Sequence, residues 1–135
     1  MPIAIREDKD IAPYSILGLY KLNKWSSADK PDELYKALMN SHSLVTAWDG
    51  EQLVGLGNAL SDGYLVVYYP HLLVDPSYHG QGIGKLIVDR MQVRYGHLHM
   101  QRLTADGGAV EFYKKQGFQK AGGTVPMWIY QGNEH

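Results

Sequence analysis

The feature that most constrains the fold is a glycine-rich junction just past the middle of the chain. The apolar run Leu72–Val74 leads into a turn at residues 75–79. Gly80, Gly82 and Gly84 then alternate with other residues before an amphipathic helical pattern begins. A strand that enters a helix through such a loop presents unpaired N–H groups at the positive end of the helix dipole. Because glycine has no Cβ, phosphate oxygens reach those amides. The junction therefore predicts a strand–helix unit that binds a phosphorylated ligand.

The spacing of the loop excludes two common nucleotide-binding motifs. A Walker A loop needs Ser or Thr after Gly-Lys, but Leu86 follows Gly84 and Lys85, so no hydroxyl is available for magnesium. A dinucleotide loop needs G-x-G-x-x-G, and Lys85 and Ile87 stand where its third glycine would fall. The phosphorylated ligand therefore belongs to another class.

Two motifs in sequence order resemble those of the GNAT superfamily of N-acetyltransferases. Residues 79–84, HGQGIG, are similar to its coenzyme A signature (Q/R)-x-x-G-x-(G/A) at both glycine positions, with His79 in place of Gln or Arg. Residues 109–118, AVEFYKKQGF, resemble the family's A-x-x-F-Y-x-x-x-G-F motif, and V-D-P-x-Y at residues 74–78 precedes the loop. Two such motifs in order are far more specific than one glycine loop.

Further likeness points to one branch of that superfamily. Residues 41–45 (SHSLV), 61–63 (SDG) and 127–130 (MWIY) look like the small plastid and cyanobacterial serotonin-N-acetyltransferase-like proteins. The likeness covers most of the chain from about residue 30 onward. It implies a mixed α/β GNAT fold: a central sheet of six to seven strands splayed between the fourth and fifth, with about four helices on its two faces.

Composition fits one globular domain over residues 1–135, since 44% of the residues are hydrophobic and no low-complexity tract interrupts them. The absence of cysteine excludes disulfides, thiolate metal sites and cysteine nucleophiles. No apolar run has the length of a membrane span and no signal-peptide core is present, so we expect a cytoplasmic protein. A net charge of −1 gives no general attraction to nucleic acid or anionic membranes.

Hydrophobic periodicity predicts the elements of a mixed sheet with helices on both faces. Pro70 removes a ladder N–H within the longest predicted strand, which indicates a bulge or a splayed edge. Gly117 is expected to cap the last helix. The predicted strands are residues 3–6, 43–48, 53–60, 64–74, 98–103, 118–120 and 127–130, and the predicted helices are residues 10–25, Pro31–Met39, 82–95 and 109–116.

The resemblance implies acetyl-CoA as the acyl donor and assigns residues to hold it. In the family, the splayed strands hold the pantetheine arm through their main chain, and the resemblance places these groups at Leu72–Val74. One N–H of Leu72–Val74 is then expected to donate to the oxygen that becomes negatively charged during acyl transfer. Asp106 stands where relatives often have Asn, and Lys85, with Lys114 and Lys115, is placed to attract the adenosine 3′-phosphate. His79 either hydrogen-bonds a phosphate or faces solvent. The residues implied to bind coenzyme A are Leu72, Leu73, Val74, His79, Gly80, Gln81, Gly82, Ile83, Gly84, Lys85, Asp106 and Tyr113.

Tyr113 is the candidate general acid. It matches the family tyrosine beside the coenzyme A sulfur, and a phenol with a pKa near 10 is well matched to a departing thiolate. The alternative is an aromatic side chain that only packs under the loop.

His71 is the candidate general base, because an imidazole with an ordinary pKa near 6.5 accepts a proton from an ammonium directly or through water. Strand alternation would place it on the same face as Tyr69 and Leu73. A histidine in an apolar strand is also commonly structural, and Tyr69 or solvent would then serve as the base. His97 and His99 match no ligand spacing, so no metal is expected.

The first functional hypothesis is direct acetyl transfer from acetyl-CoA to a primary amine within a ternary complex, since no cysteine is present to carry an acyl group. The branch resemblance implies a small amine as acceptor, with aromatic amines among the candidates. The alternatives are a protein lysine or N-terminal amine as acceptor, and a non-catalytic acyl-CoA-binding sensor.

Two further expectations concern the surface. The acceptor pocket is expected between residues 19–30, the strand at 68–71 and the segment 125–128. The apolar segment 124–130 is expected to form an edge strand that pairs with its twin in a homodimer. In the alternative, Trp128 packs inward against the helix at residues 109–116 and the chain is a monomer.

Overall fold

One mixed sheet of six strands organises the structure, which is a computed structural model that describes residues 2–132. Its strands in chain order are β1 (Ala4–Arg6), β2 (Ser43–Asp49), β3 (Gln52–Ser61), β4 (Val66–Tyr68), β5 (Leu72–Val74) and β6 (Met100–Arg102). Pairing is antiparallel from β1 to β2, from β2 to β3, and from β3 to both β4 and β5. β4 and β6 pair in parallel. The predicted mixed architecture is confirmed.

Four α-helices lie on the two faces of this sheet within residues 2–132: α1 (Pro13–Leu22), α2 (Pro31–Met39), α3 (Ile83–Tyr95) and α4 (Val110–Lys115). Proline stands in the first turn of α1 and α2, where its missing N–H costs nothing. α1 ends at Leu22, short of the predicted residue 25, because Lys24 adopts a left-handed φ of +59°. Over the described residues, no helix is long and apolar enough to cross a bilayer.

The core has two halves, one on each face of the sheet. On the first face, α1 and α2 bury Ile16, Leu19 and Leu38 against β2, β3 and β5. On the second face, α3 buries Ile83 and Ile87 against the same sheet. The amphipathic pattern after the glycine loop thus forms a helix that packs on the sheet, although Leu86 of this helix is 41% exposed.

The predicted strand over residues 64–74 is interrupted in its middle. β4 pairs Tyr68 with Leu60, whereas β5 pairs Leu72 with Gly57. Three residues, 69–71, therefore stand opposite two residues of β3, which is a β-bulge at Pro70. The bulge confirms the disruption expected from proline. The bulge also shifts the side-chain alternation by one residue, so Tyr69 and His71 project from opposite faces of the sheet.

The two final strands that the sequence predicted, residues 118–120 and 127–130, are not formed. Within the described part of the chain, residues 118–132 contain no strand. Gly117 does end α4 with a φ of +97°, as expected. Beyond it, Gly122 also has a positive φ of +62°, and the segment leaves the sheet. Composition predicted β structure there because the residues are apolar and β-branched, but among residues 2–132 no strand pairs with them.

Candidate functional site

The glycine loop ends at the start of α3, where the sequence placed it. Gly82 is the N-cap residue of α3 with a φ of +78°, and no side chain hydrogen-bonds the helix there. Gly80 has a φ of +82°. Nothing lies within 4 Å of the position that a Cβ would take on either residue. The first-turn amides of α3 therefore form an uncapped, uncrowded receptor that fits a phosphate group.

The third glycine of the loop has a different role. A Cβ on Gly84 would stand 3.1 Å from the ring of Phe112. Phe112 belongs to α4 and contacts the ring of its neighbour Tyr113, with centroids 5.1 Å apart. Gly84 therefore allows α4 to approach α3 and thereby positions Tyr113.

The main chain of β5 faces two ways. The carbonyl of His71 accepts from the amide of Asn58, and the amide of Asp75 donates to the carbonyl of Val54. The main-chain groups of the odd-numbered residues in this stretch are therefore directed toward β3. Leu72 and Val74 consequently turn their amides and carbonyls away from β3, toward the gap that separates β5 from the end of β6. Of the three residues predicted to hold the pantetheine arm through their main chain, Leu73 faces β3 and the other two face the gap.

A cleft opens where β5 and β6 part. The amide of Tyr69 still donates to Arg102 of β6 at 3.0 Å, but the next residues of the two strands diverge. The empty volume of the cleft is about 310 Å³, counting the part open to solvent. The surface that lines the cleft is mainly apolar. The lining residues near the ends of β5 and β6 and in and after α4 are Asn58, Tyr69, His71, Leu72, Leu103, Tyr113 and Phe118.

Tyr113 projects from α4 into this cleft. Its ring packs edge-on against Phe118 at 5.7 Å, and Phe118 in turn contacts Tyr69. Burial, with a smaller contribution from the nearby carboxylate of Asp106, raises the pKa of Tyr113 to about 12. The phenol therefore keeps its proton at physiological pH, which is the state that a general acid requires. Asp106 lies at the N-cap of a short 3-10 turn, Gly107–Ala109, just before α4.

His71 lies on the opposite side of the sheet from Tyr69, not on the same side as predicted. Tyr69 packs with the α3 side, against Tyr95 and Phe118. His71 instead packs with the α1 side, and its Nδ1 lies 2.7 Å from the hydroxyl of Tyr20. The bulge at Pro70 is the physical reason, because the extra residue reverses the alternation after it. Tyr69, the alternative base, donates its hydroxyl to Gln101 at 2.6 Å, and burial raises its pKa.

A second cleft meets the first at His71. Its empty volume is about 670 Å³, counting the part open to solvent, and its lining residues are Trp25, Ser26, Ser27, Lys30, His71, Tyr130, Gln131 and Gly132. The hydroxyl groups of Ser26 and Tyr130 lie 2.7 Å apart and join the α1–α2 connection to the end of the chain. The acceptor pocket was predicted between residues 19–30, 68–71 and 125–128. This cleft has Trp25–Ser27, Lys30 and His71 of that set in its lining, and Tyr130–Gly132 complete it.

Lys114, predicted to attract the 3′-phosphate, pairs with Glu111 of α4 at 3.6 Å. Two further residues predicted to bind phosphate, both at the loop or in the first turn of α3, also have protein partners. Nε2 of His79 donates to the carbonyl oxygen of Val74 at 3.1 Å, which ties the loop to β5. Lys85 pairs with Asp89 one turn along α3 at 2.6 Å, on an exposed surface. Neither contact prevents a phosphate from meeting the main-chain amides of the loop. Within residues 2–132, no cluster of three or more His, Asp or Glu side chains is arranged to hold a metal ion.

Comparison with known proteins agrees with this geometry. The family model described as the acetyltransferase (GNAT) domain matches residues 9–126. An uncharacterized N-acetyltransferase of Pyropia yezoensis is 33% identical over 125 residues, which is 87% of this chain and 71% of that protein. A histone acetyltransferase of Glycine max is 35% identical over 74 residues, 51% of this chain and 31% of that protein. The chain belongs to the GNAT acetyltransferase family, whose members are acyltransferases.

Solved structures show the same fold. A GNAT family acetyltransferase from Streptococcus pneumoniae superposes with a TM-score of 0.84 at 27% identity, covering 96% of this chain and 99% of that one. An aminoglycoside N-acetyltransferase in complex with CoA superposes with a TM-score of 0.71 at 16% identity, covering 96% and 94%, and shows the fold alone. The chain spans about a third of the length of several curated plant relatives that it matches.

Two residues that contact His71 lie outside every motif recognised in the sequence. Tyr20 and Asn58 both contact His71, across 51 and 13 residues of sequence. Tyr20 lies in the segment predicted to line an acceptor pocket, but nothing in the sequence distinguished it from the other buried residues of α1. Asn58 lies in a predicted strand, and nothing in the sequence marked it as the residue that faces the bulge at Pro70.

Proposed function

We propose that this protein transfers the acetyl group of acetyl-CoA directly to a primary amine. The observation that carries the proposal is the arrangement of three features around one cleft. Leu72 of β5 and Tyr113, whose hydroxyl keeps its proton, line this cleft together with Ile87 of α3. The uncapped start of α3 at Gly82 lies between one and two helix turns from Ile87. A phosphate receptor, donors for an extended arm and a proton donor are what a thioester-dependent acyl transfer requires.

Each part of the site has a distinct task in this proposal. Acetyl-CoA supplies an activated acyl group and a thiolate as leaving group. The loop amides at Gly82–Lys85 bind its phosphates, and Leu72 and Val74 offer main-chain hydrogen bonds to the arm. An N–H facing the gap stabilises negative charge on the reacting carbonyl oxygen. The hydroxyl of Tyr113 holds the proton that the departing sulfur needs. With no cysteine in the chain, the amine attacks directly in a ternary complex.

The second cleft is where we place the acceptor. It reaches the first cleft at His71, so an amine that enters from the side of Trp25 and Tyr130 arrives at the reaction centre. Aromatic side chains line its wall, which favours a small amine with a flat apolar body. The name of the histone acetyltransferase relative supports the second candidate, a protein lysine or N-terminal amine. We further propose that the protein acts in the cytoplasm and as a homodimer.

The test is release of free thiol from acetyl-CoA with the purified protein and one amine class at a time. The panel contains arylalkylamines, polyamines, amino sugars, lysine peptides and peptides with a free N-terminus. Steady thiol release with arylalkylamines supports the proposal, and release confined to peptides selects the second candidate. Tight binding of acetyl-CoA without thiol release for any amine would contradict an enzyme and favour an acyl-CoA sensor.

A further inference from the structure

The ring of His71 is held from the α1 side by two aromatic residues. The ring of Tyr20 lies 5.4 Å from the imidazole and that of Trp25 lies 5.0 Å from it, edge-on. Tyr20 and Trp25 also contact one another at 5.7 Å, so the three rings form one cluster. Tyr20 lies in α1 and Trp25 in the connection that follows α1, so both rings that hold His71 lie outside the coenzyme A motifs.

The hydrogen bond between Tyr20 and His71 has a defined direction. Tyr20 is fully buried, and Nδ1 of His71 at 2.7 Å is the one hydrogen-bond partner of its hydroxyl among residues 2–132. If that hydroxyl accepted from an Nδ1–H group, its own proton would be buried without an acceptor, which is strongly unfavourable. Burial also raises the pKa of Tyr20, so the hydroxyl keeps its proton. Tyr20 therefore donates, and Nδ1 accepts.

Hydrogen bonds to Asn58 also fix the main chain of His71, which keeps its ring within hydrogen-bond distance of Tyr20. The amide of His71 donates to Oδ1 of Asn58 at 3.0 Å, and its carbonyl accepts from the amide of Asn58 at 3.1 Å. The side-chain amide of Asn58 donates in turn to the hydroxyl of Ser41 at 3.0 Å. Asn58 is buried, and its carboxamide takes a place in the ladder that a main-chain carbonyl usually fills.

We propose that Tyr20 is a positioning residue that holds the imidazole of His71 in its Nε2–H tautomer. In this form Nδ1 accepts from the hydroxyl of Tyr20 and Nε2 carries the proton, so neither ring nitrogen of the neutral imidazole is available to take a proton from an ammonium group. This consequence rests on the proposed acetyl transfer. The acceptor then loses its ammonium proton to solvent, and not to His71, before its lone pair attacks the thioester carbonyl. After the attack a second N–H proton leaves the nitrogen and, through solvent, replaces the proton that Tyr113 gives to the departing sulfur.

The tautomer is measured directly by long-range ¹H–¹⁵N correlation spectra of protein labelled with ¹⁵N-histidine, at a pH near 8 where free imidazole is neutral. The His71 signals are assigned by their loss in His71→Asn. The wild-type protein is expected to show the Nε2–H pattern, with at least about a tenfold excess over the other tautomer. An Nδ1–H pattern or a doubly protonated ring would overturn the proposal. The result does not depend on turnover, so it stands apart from the test of acetyl transfer.

Tyr20→Phe then tests the cause. It keeps the ring and removes the hydroxyl, so the Nδ1 resonance of His71 is expected to shift toward the value of a nitrogen that accepts no hydrogen bond. The matched control is Tyr35→Phe, which removes a partly buried hydroxyl that donates to the carbonyl of Ile11 on the same face of the sheet. The control is expected to leave the His71 resonances unchanged. An unchanged Nδ1 resonance in Tyr20→Phe, or an equal shift in Tyr35→Phe, would refute the role of Tyr20.

Discussion

Tyr113 is the side chain whose hydroxyl we expect to control turnover without affecting cofactor binding. Tyr113→Phe retains the packing against Phe112 and Phe118 but removes the proton donor. We expect kcat to fall by about one to three decades while the Kd of acetyl-CoA changes by less than about twofold. Steady-state kinetics and calorimetry measure the two values. The control is Tyr64→Phe, at a residue 90% exposed, and a kcat for Tyr113→Phe equal to that of wild type would remove Tyr113 from proton transfer.

The raised pKa of Tyr113 also predicts how stability depends on pH. Its pKa is about 12 in the folded chain and near 10 when unfolded, so the folded state binds more protons between these values. The stabilisation is complete below pH 10 and is lost as the pH rises through about 12. We expect the free energy of unfolding to fall less steeply above pH 10 in Tyr113→Phe than in wild type, as measured by urea denaturation. Parallel slopes in the two proteins would contradict the pKa shift.

At the residue scale, the sequence predicts side chains that belong to a local motif and misses those that act across the fold. Gly82 needs a left-handed backbone at a helix start, and this requirement appears in the spacing of the glycines. Tyr20 and Asn58 act only through His71, which the fold brings to them. No local pattern marks a buried tyrosine or a strand asparagine as a contact of a distant histidine.

The glycine loop is the element whose backbone conformation we expect to decide cofactor affinity. Gly82→Ala places a Cβ at a φ of +78°, which costs about 1–2 kcal/mol and favours a rearranged loop. We expect the affinity for acetyl-CoA to fall at least about tenfold with the fold retained. Gly50→Ala is the matched control, since Gly50 has a φ of +60° in the β2–β3 turn and also has open space around it. It should lower stability similarly and leave affinity unchanged.

Calorimetric titration with acetyl-CoA measures both variants, and unchanged affinity in Gly82→Ala would contradict the loop as the phosphate site. Gly84 is less suitable for this test. A side chain there would press on Phe112 at 3.1 Å and move α4, so a loss of activity would mix a cofactor effect with displacement of Tyr113.

Elements were predictable where a local pattern and the tertiary environment agree. Pro31–Met39 has proline and acidic residues in its first turn and an apolar stripe, and it forms the helix with those bounds. Residues 127–130 have a strand composition, but no strand within residues 2–132 pairs with them, so they form none. The break at Pro70 was predictable from the sequence. The faces from which Tyr69 and His71 project were not, because they depend on how β4 and β5 pair with β3.

On the surface of the whole molecule, two apolar regions within residues 2–132 are exposed. The tail presents Val125, Met127, Trp128 and Ile129, of which Met127 and Ile129 are more than 90% exposed. Trp128 stacks on Tyr130 with centroids 4.6 Å apart and does not pack inward against α4. The second region lies around β4 and the edge strand β6, and its exposed residues are Leu60, Tyr64, Leu65, Val66, Tyr68 and Met100. Exposed apolar surface of this extent is typical of a protein–protein interface.

We expect these regions to be covered by a second copy of the chain, since an extended apolar segment without a strand partner and an edge strand complement one another. Sedimentation at micromolar concentration should give twice the 15.2 kDa mass of one chain. Ile129→Lys places a charge in the tail and should shift the mass toward the monomer. Val93→Lys is the control, because Val93 is 81% exposed on α3, outside both regions. A wild-type mass of a single chain would refute the dimer, and equal dissociation by both variants would locate the interface elsewhere.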